Sequence, residues 1–319
     1  MNLALSAAGA TVRGVGAVSP RWGAAFAMPL FGSVAKPRPV RPDDEATMWR
    51  ARHRTVRIAG VDRRGVDVDA YEWGGGARTV LLSHGWNARA SQFAPLVREL
   101  VAEGYRVVAF DAPAHGSSAG RRTYLVDWLD VFAALQQRYG AFDAMVGHSF
   151  GGLATLVGVA GGTDAARVVT IAAPADADLL LSQFQGMLRY SDAVSARMRE
   201  RFASRYFPGQ PDPFAWLSSV RRPLPAEVPL LVIHDEGDRM VPYAEAGRIV
   251  AANHGARLLP TIGLGHNRIL AADDVLDAVL THLEVPSAAR TSSAPDGARR
   301  AAVMPAAAVD ELISASVAE

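Results

Sequence analysis

An α/β fold, built on a mostly parallel sheet with helices on both faces, is what this sequence predicts. Three observations lead there. Short apolar runs alternate with helical patterns between about residues 51 and 285. Half of the 319 residues are apolar, which is enough for a sizeable core. The chain contains no cysteine, so disulfides, thiolate zinc sites, iron–sulfur clusters and a cysteine nucleophile are excluded.

Taken in order, the first 50 residues read as an N-terminal arm. Its first 42 residues carry five basic residues (Arg13, Arg21, Lys36, Arg38, Arg41) and no acidic one. The apolar start, residues 3–12, precedes the first arginine, whereas a signal peptide places its charge first. A transit peptide or a surface-lying amphipathic helix also fits that composition. The plainer expectation is an arm packed on the domain that follows, with the proline-rich stretch 36–42 extended.

Residues 55–58 and 66–71 read as two early strands. Val66, Val68 and Ala70 keep the period of two expected of a half-buried strand. Residues 79–83 form a short buried strand. In residues 90–103, Phe93, Leu96, Val97, Leu100 and Val101 recur at helical spacing, and Gly104 ends that helix. Strands at 106–110, 143–147, 167–172, 229–234 and 256–261 follow. Helices at 124–139, from 150 onward, at 243–253 and at 271–283 lie between and after them. Residues 176–225 break this rhythm. They hold no strand pattern, and Leu179, Leu180, Leu181, Phe184, Met187 and Leu188 crowd together. This segment is expected as a helical cap over the carboxyl edge, where ligands bind in open α/β sheets. The core is then 51–175 and 226–285. Residues 286–319 are rich in Ala, Ser, Pro and Arg and are expected to be disordered, with a short helix at 309–313.

Lys+Arg number 33 and Asp+Glu 32. That overall balance gives no electrostatic reason to expect nucleic acid or an anionic surface as partner. No apolar run approaches the roughly 18–20 residues of a membrane span. With no cysteine and a poor export signal, the expected location is cytoplasmic. The oligomeric state stays open.

Chemistry enters at Gly147-His148-Ser149-Phe150-Gly151, a G-x-S-x-G pattern where a strand ends and a helix begins. A sharp turn there strains the serine backbone and demands small residues on either side, and Gly147 and Gly151 meet that demand. Ser149 is the expected nucleophile. A serine hydroxyl needs a base. Of the eight histidines, His266 follows the last strand and so reaches the same sheet edge. The imidazole needs a carboxylate, and Asp235, Glu236 and Asp238 compete in the loop after the seventh strand. Asp238 is preferred and Asp235 comes second. The oxyanion requires two donors: the N–H of Phe150, and that of Trp86 in His84-Gly85-Trp86-Asn87.

Together His84-Gly85, Asp111-Ala112-Pro113-Ala114-His115-Gly116-Ser117-Ser118, the run 147–152, the run 238–242 and Gly265-His266 resemble the α/β-hydrolase superfamily over roughly residues 56–285. The resemblance implies an eight-stranded sheet with the cap inserted after the sixth strand. It implies a Ser-His-Asp triad and no metal or organic cofactor. Ala114 departs from the glycine that many relatives carry there. Asp111 and His115 are expected to tie down their loop. His84, Phe184, Met187 and Trp216 are candidate pocket residues, with Phe214 beside them. Asp192, Glu200 and Asp212 read as a solvated helix face. The expected activity is hydrolysis of a small-molecule carboxylic ester through an acyl-enzyme. A thioesterase, C–C hydrolase, aminopeptidase or acyltransferase on the same triad, and a slow ligand-binding relative, remain the alternatives.

Overall fold

The computed structural model describes residues 3–61 and 63–284. The expected tail, including 309–313, lies outside the described residues. The chain opens with α1 (Leu3–Val18), α2 (Pro20–Phe31) and α3 (Pro42–Trp49). These three helices were not assigned as such from the sequence, although α2 and α3 both begin with proline in the first turn, where its missing N–H costs nothing. The arm meets two parts of the fold. Its main partners are helices of the insertion described below, α1 on α7 and α2 on α8. It also meets the core, where Tyr124 Oη donates to Met28 O at 3.0 Å and Trp73 Nε1 donates to Thr47 O at 2.7 Å.

The sheet follows: β1 (Arg52–Ile58), β2 (Val66–Trp73), β3 (Thr79–Ser83), α4 (Ala94–Ala102) after a 3-10 turn at Ala90–Phe93, β4 (Arg106–Phe110), α5 (Leu125–Tyr139), β5 (Ala144–His148), α6 (Phe150–Ala160) and β6 (Val168–Ile171). An insertion of three helices comes next: α7 (Ala177–Leu188), α8 (Asp192–Tyr206) and α9 (Pro213–Trp216). The fold closes with β7 (Leu230–Asp235), α10 (Ala244–Ala252), β8 (Arg257–Thr261), α11 (Gly265–Arg268) and α12 (Asp273–Glu284).

The eight strands form one sheet in the order β1-β2-β4-β3-β5-β6-β7-β8. β2 runs antiparallel to both its neighbours, and every pair from β4 onward is parallel. Strands β3 to β7 are short, wholly or mostly buried and apolar, as a sheet covered on both faces requires. Alternation sorts their side chains. Leu81, Val108, Met145, Val168 and Val232 meet α5, α6 and α10 through Trp128, Phe132, Leu153 and Ile249. Val80, Leu82, Val107, Val146 and Ile233 meet α4 and α12 through Leu96, Leu100, Val275 and Val279. A one-residue slip in any strand would exchange the two sets, so register is strongly specified.

The parallel register places the carboxyl ends together: Ser83 opposite Gly147, His148 opposite Ile171, Ile171 opposite Ile233, and Asp235 opposite Thr261. The loops after β3, β5, β7 and β8 therefore open on one edge. The insertion is anchored beside that edge. Asp176 caps α7 by accepting from the N–H groups of Asp178 and Leu179, and its other oxygen takes Arg248 of α10 at 2.5 Å.

Candidate active site

Ser149 is the link between β5 and α6, at φ 53° and ψ −124°. A non-glycine residue rarely holds a positive φ, and here the surroundings enforce it. The Ser149 N–H donates to Ile171 O at 2.9 Å, and its carbonyl accepts from Gly152 and Leu153. The turn closes this tightly only because its flanking residues lack a Cβ. One added to Gly151 would stand 2.2 Å from Ser83 O, and one added to Gly147 would stand 2.4 Å from Gly151 O.

His266 lies in α11 and is 8% exposed. Its Nδ1 is 2.7 Å from Asp238 Oδ2. Asp238 is fully enclosed along its side chain. Burial alone would raise its pKa. Hydrogen bonds from His234, His266 and the N–H groups of Val241 and Met240 outweigh burial and hold the carboxyl well below the ordinary range. An ionised carboxylate only accepts, so Nδ1 carries the proton and Nε2 is left as the basic nitrogen. Asp235 has another task. Its Oδ1 accepts from Gly237 N, and its Oδ2 accepts from Thr261 Oγ1 and Leu264 N at 2.9 Å each. It ties the β7 and β8 loops together.

His148 brings the two halves of the site together. Its Nε2 is 2.8 Å from His266 O, so it donates there, and the two rings lie 4.8 Å apart between centroids. No hydrogen bond joins the Ser149 hydroxyl to His266 among the described residues. Nucleophile–base bonds are commonly loose before substrate arrives. The His84-Gly85-Trp86 loop adjoins the serine, since a Cβ on Gly85 would stand 3.0 Å from Ser149 Cβ. Phe150 N is the first amide of α6. Trp86 and Phe150 meet edge to face at 5.1 Å, and Trp128 of α5 packs on both, at 6.2 and 4.7 Å.

The structure gives each candidate pocket residue definite neighbours. His84 is wholly buried, accepting from Ala112 N and donating to Gly85 O at 2.7 Å, so it shapes the loop. Met187 is 55% exposed and borders a cleft with Leu5, Gly9 and Arg13. Trp216 borders a different cavity, with Leu129, Val157 and Tyr206. Phe184 packs on Phe31 and Tyr190, and Phe214 lies under the Arg199 guanidinium. Of the insertion acids, Asp192 accepts from Gln185, Glu200 pairs with Arg197, and Asp212 caps α9 and meets Arg221.

Two contributors, Trp128 and His234, escape the sequence reading. Trp128 was absorbed into a helical pattern. His234 sits at the end of β7, its Nε2 3.0 Å from Val241 O and 3.5 Å from Asp238 Oδ2. Ala114 takes φ 66°, the left-handed backbone that favours glycine. Asp111 accepts from Ala90 N, Ser117 N and Tyr71 Oη at 2.7–2.9 Å, and His115 Nε2 accepts from Asn87 N at 3.0 Å. Both therefore fasten the loops that flank Trp86.

Burial holds four histidines neutral. His84 and His282 are pushed down to about 4, and His115 and His148 to about 3. The unfolded chain binds protons on these rings near the ordinary value of about 6.5, while the folded chain resists them down to the lowered values. Stability is therefore unimpaired above about pH 6.5 and declines as pH falls toward about 3–4. The melting temperature is expected to fall steadily from about pH 7 to about pH 5. A flat profile would show that these rings are not held neutral.

Solved structures share this architecture. An esterase of Pyrococcus furiosus is 23% identical with TM-score 0.55, the alignment covering 78% of this chain and 98% of that one. A bromoperoxidase of Bacillus anthracis is 18% identical with TM-score 0.54, covering 72% and 99%. An esterase of Exiguobacterium antarcticum is 17% identical with TM-score 0.52, covering 72% and 99%. No curated protein matches the chain by sequence. The model of the alpha/beta hydrolase family matches residues 80–278, which run from β3 through β8 into α12 and take in Ser149, Asp238 and His266. With that match spanning more than half of the chain, the protein belongs to the alpha/beta hydrolase family.

Proposed function

We propose that the chain hydrolyses carboxylic esters through an acyl-enzyme on Ser149. The Ser149 hydroxyl attacks the ester carbonyl while His266 Nε2 takes its proton. Asp238 keeps His266 in the Nδ1–H tautomer and steadies the charge it acquires. The N–H groups of Phe150 and Trp86 hold the oxyanion, each such donor contributing about 3–4 kcal/mol to the transition state. His266 returns the proton to the leaving alcohol, then activates the water that releases the acid. Helix α7 serves as part of a cap, since Gln183 Nε2 donates to Met240 O at 2.7 Å and ties it to the loop that carries Asp238.

The observation that carries this reading is the Asp238–His266 bond of 2.7 Å on the sheet edge where Ser149 is held at φ 53°. The P. furiosus and E. antarcticum neighbours are esterases, which favours that substrate class. The test is labelling with a fluorophosphonate, peptide mapping, and a panel of p-nitrophenyl esters of graded acyl length. The label is expected on Ser149, to vanish in His266→Ala, and to accompany ester turnover. Folded protein that labels elsewhere, or takes no label and turns over no ester of the panel, would overturn the reading.

A further inference from the structure

Helices α1 and α2 face the surroundings with a surface unlike the rest of the molecule. The outward stripe of α1 is Ala7, Ala10, Thr11, Gly14, Ala17 and Val18. The single charged residue of α1, Arg13, is itself exposed and donates to Leu188 O at 2.8 Å. The outward stripe of α2 is Trp22, Phe26 and Leu30, four residues apart and 64%, 50% and 37% exposed. Neighbouring α8 shows what an ordinary solvated face looks like here, exposing Asp192, Arg197, Glu200, Arg201 and Arg205. A helix in water normally turns charged and polar residues outward, and an exposed apolar patch rimmed by charge marks a binding surface.

Within the arm itself the charge that flanks the stripe along the chain has one sign. Arg21, Lys36, Arg38 and Arg41 are all exposed, and no acid occurs before Asp43. The near-neutral whole chain conceals this segregation. Aromatic and aliphatic residues flanked by Arg and Lys match the boundary between acyl chains and anionic headgroups. No described helix is long and apolar enough to cross a membrane, so the surface suits a helix pair lying on a bilayer. We infer that α1 and α2 dock the protein on an anionic lipid surface through Trp22, Phe26 and Leu30. The placement has a consequence for access. After α2 the chain runs past the loop that follows Trp86, where Ala35 N donates to Asn87 Oδ1 at 2.9 Å and Arg89 Nη1 donates to Arg38 O at 3.1 Å. The docked face is thus joined directly to the insertion and to a loop of the site.

The test is flotation of the full chain with vesicles of phosphatidylcholine alone and of equal parts phosphatidylcholine and phosphatidylglycerol. Binding is expected to the anionic vesicles and to weaken in high salt. Trp22→Ser/Phe26→Ser/Leu30→Ser is expected to weaken it at least about tenfold, and Arg21→Gln/Lys36→Gln/Arg38→Gln by a similar factor. Both variants change exposed positions, and unchanged melting temperatures verify their folding. Three results would overturn the inference: no binding to either vesicle, a concentration-dependent dimer abolished by the triple serine variant, or cross-links showing residues 285–319 covering the stripe. Vesicle binding is read without catalysis, so failure of the ester reading leaves it untouched.

Discussion

Replacing Ser149 with alanine is expected to lower kcat/KM on a carboxylic ester by roughly 10⁵-fold or more. Only the attacking oxygen is removed. The turn that holds residue 149 is made by its backbone bonds to Ile171, Gly152 and Leu153, and alanine keeps all of them. The melting temperature should therefore stay within about 2 °C of the wild type. What survives is the contribution of substrate binding and of the oxyanion donors, on the order of 10³–10⁴ over water. His266→Ala should fall to a comparable rate, because nucleophile and base act as one unit. The double variant should be little worse than either single one. Measured kcat/KM across the three variants checks this. A Ser149→Ala protein retaining a tenth of the activity would place the nucleophile elsewhere.

Gly151→Ala is expected to damage the fold as well as the reaction. The added methyl would stand 2.2 Å from Ser83 O and 2.4 Å from His84 O. Those atoms are backbone of β3 and of the loop that leads to Trp86, so no side chain can swing aside. Relief requires α6 to move away from the sheet, and α6 is buried over nearly its whole length. The cost should lie at or above the upper end of overpacking, about 3 kcal/mol, a fall of roughly 5–10 °C in melting temperature for a domain of this size. Any folded protein should also be slow, because the same shift displaces Phe150 N and Ser149. Gly247→Ala in α10 is the control. A methyl there meets nothing within 4 Å, so it should raise stability by roughly 0.5–1 kcal/mol. Thermal melts of the two variants should move in opposite directions. Equal melts would refute the close approach of the turn to β3.

Local requirements made much of this legible. The eight strands were readable because runs such as Thr79–Ser83 and Arg106–Phe110 are short, apolar and bounded by turn residues. Ser149 was readable because the strained turn and the glycines it needs are neighbours in the chain. The choice between Asp238 and Asp235 was only a preference at that level, since both follow the same strand. The structure separates them by where each carboxylate points: one to His266 Nδ1, the other to Thr261 and Leu264. The surroundings of the pocket candidates were not legible. Met187 and Trp216 lie in an insertion whose apolar spacing says that a face is buried and leaves open which face, and against what.

The sequence by itself therefore determined the alternation of strands and helices, the turn at Ser149 and the order Ser149, Asp238, His266. These follow from backbone sterics and apolar periodicity, which act over a few residues. Only the tertiary structure decided that His148 donates to the carbonyl of His266, that Trp128 backs Trp86 and Phe150, and that α1 and α2 lie on α7 and α8 with Trp22, Phe26 and Leu30 left outward. Each of these depends on how separately folded elements rotate against one another. That rotation is set by the summed packing of side chains distant in the chain, and no local pattern encodes it.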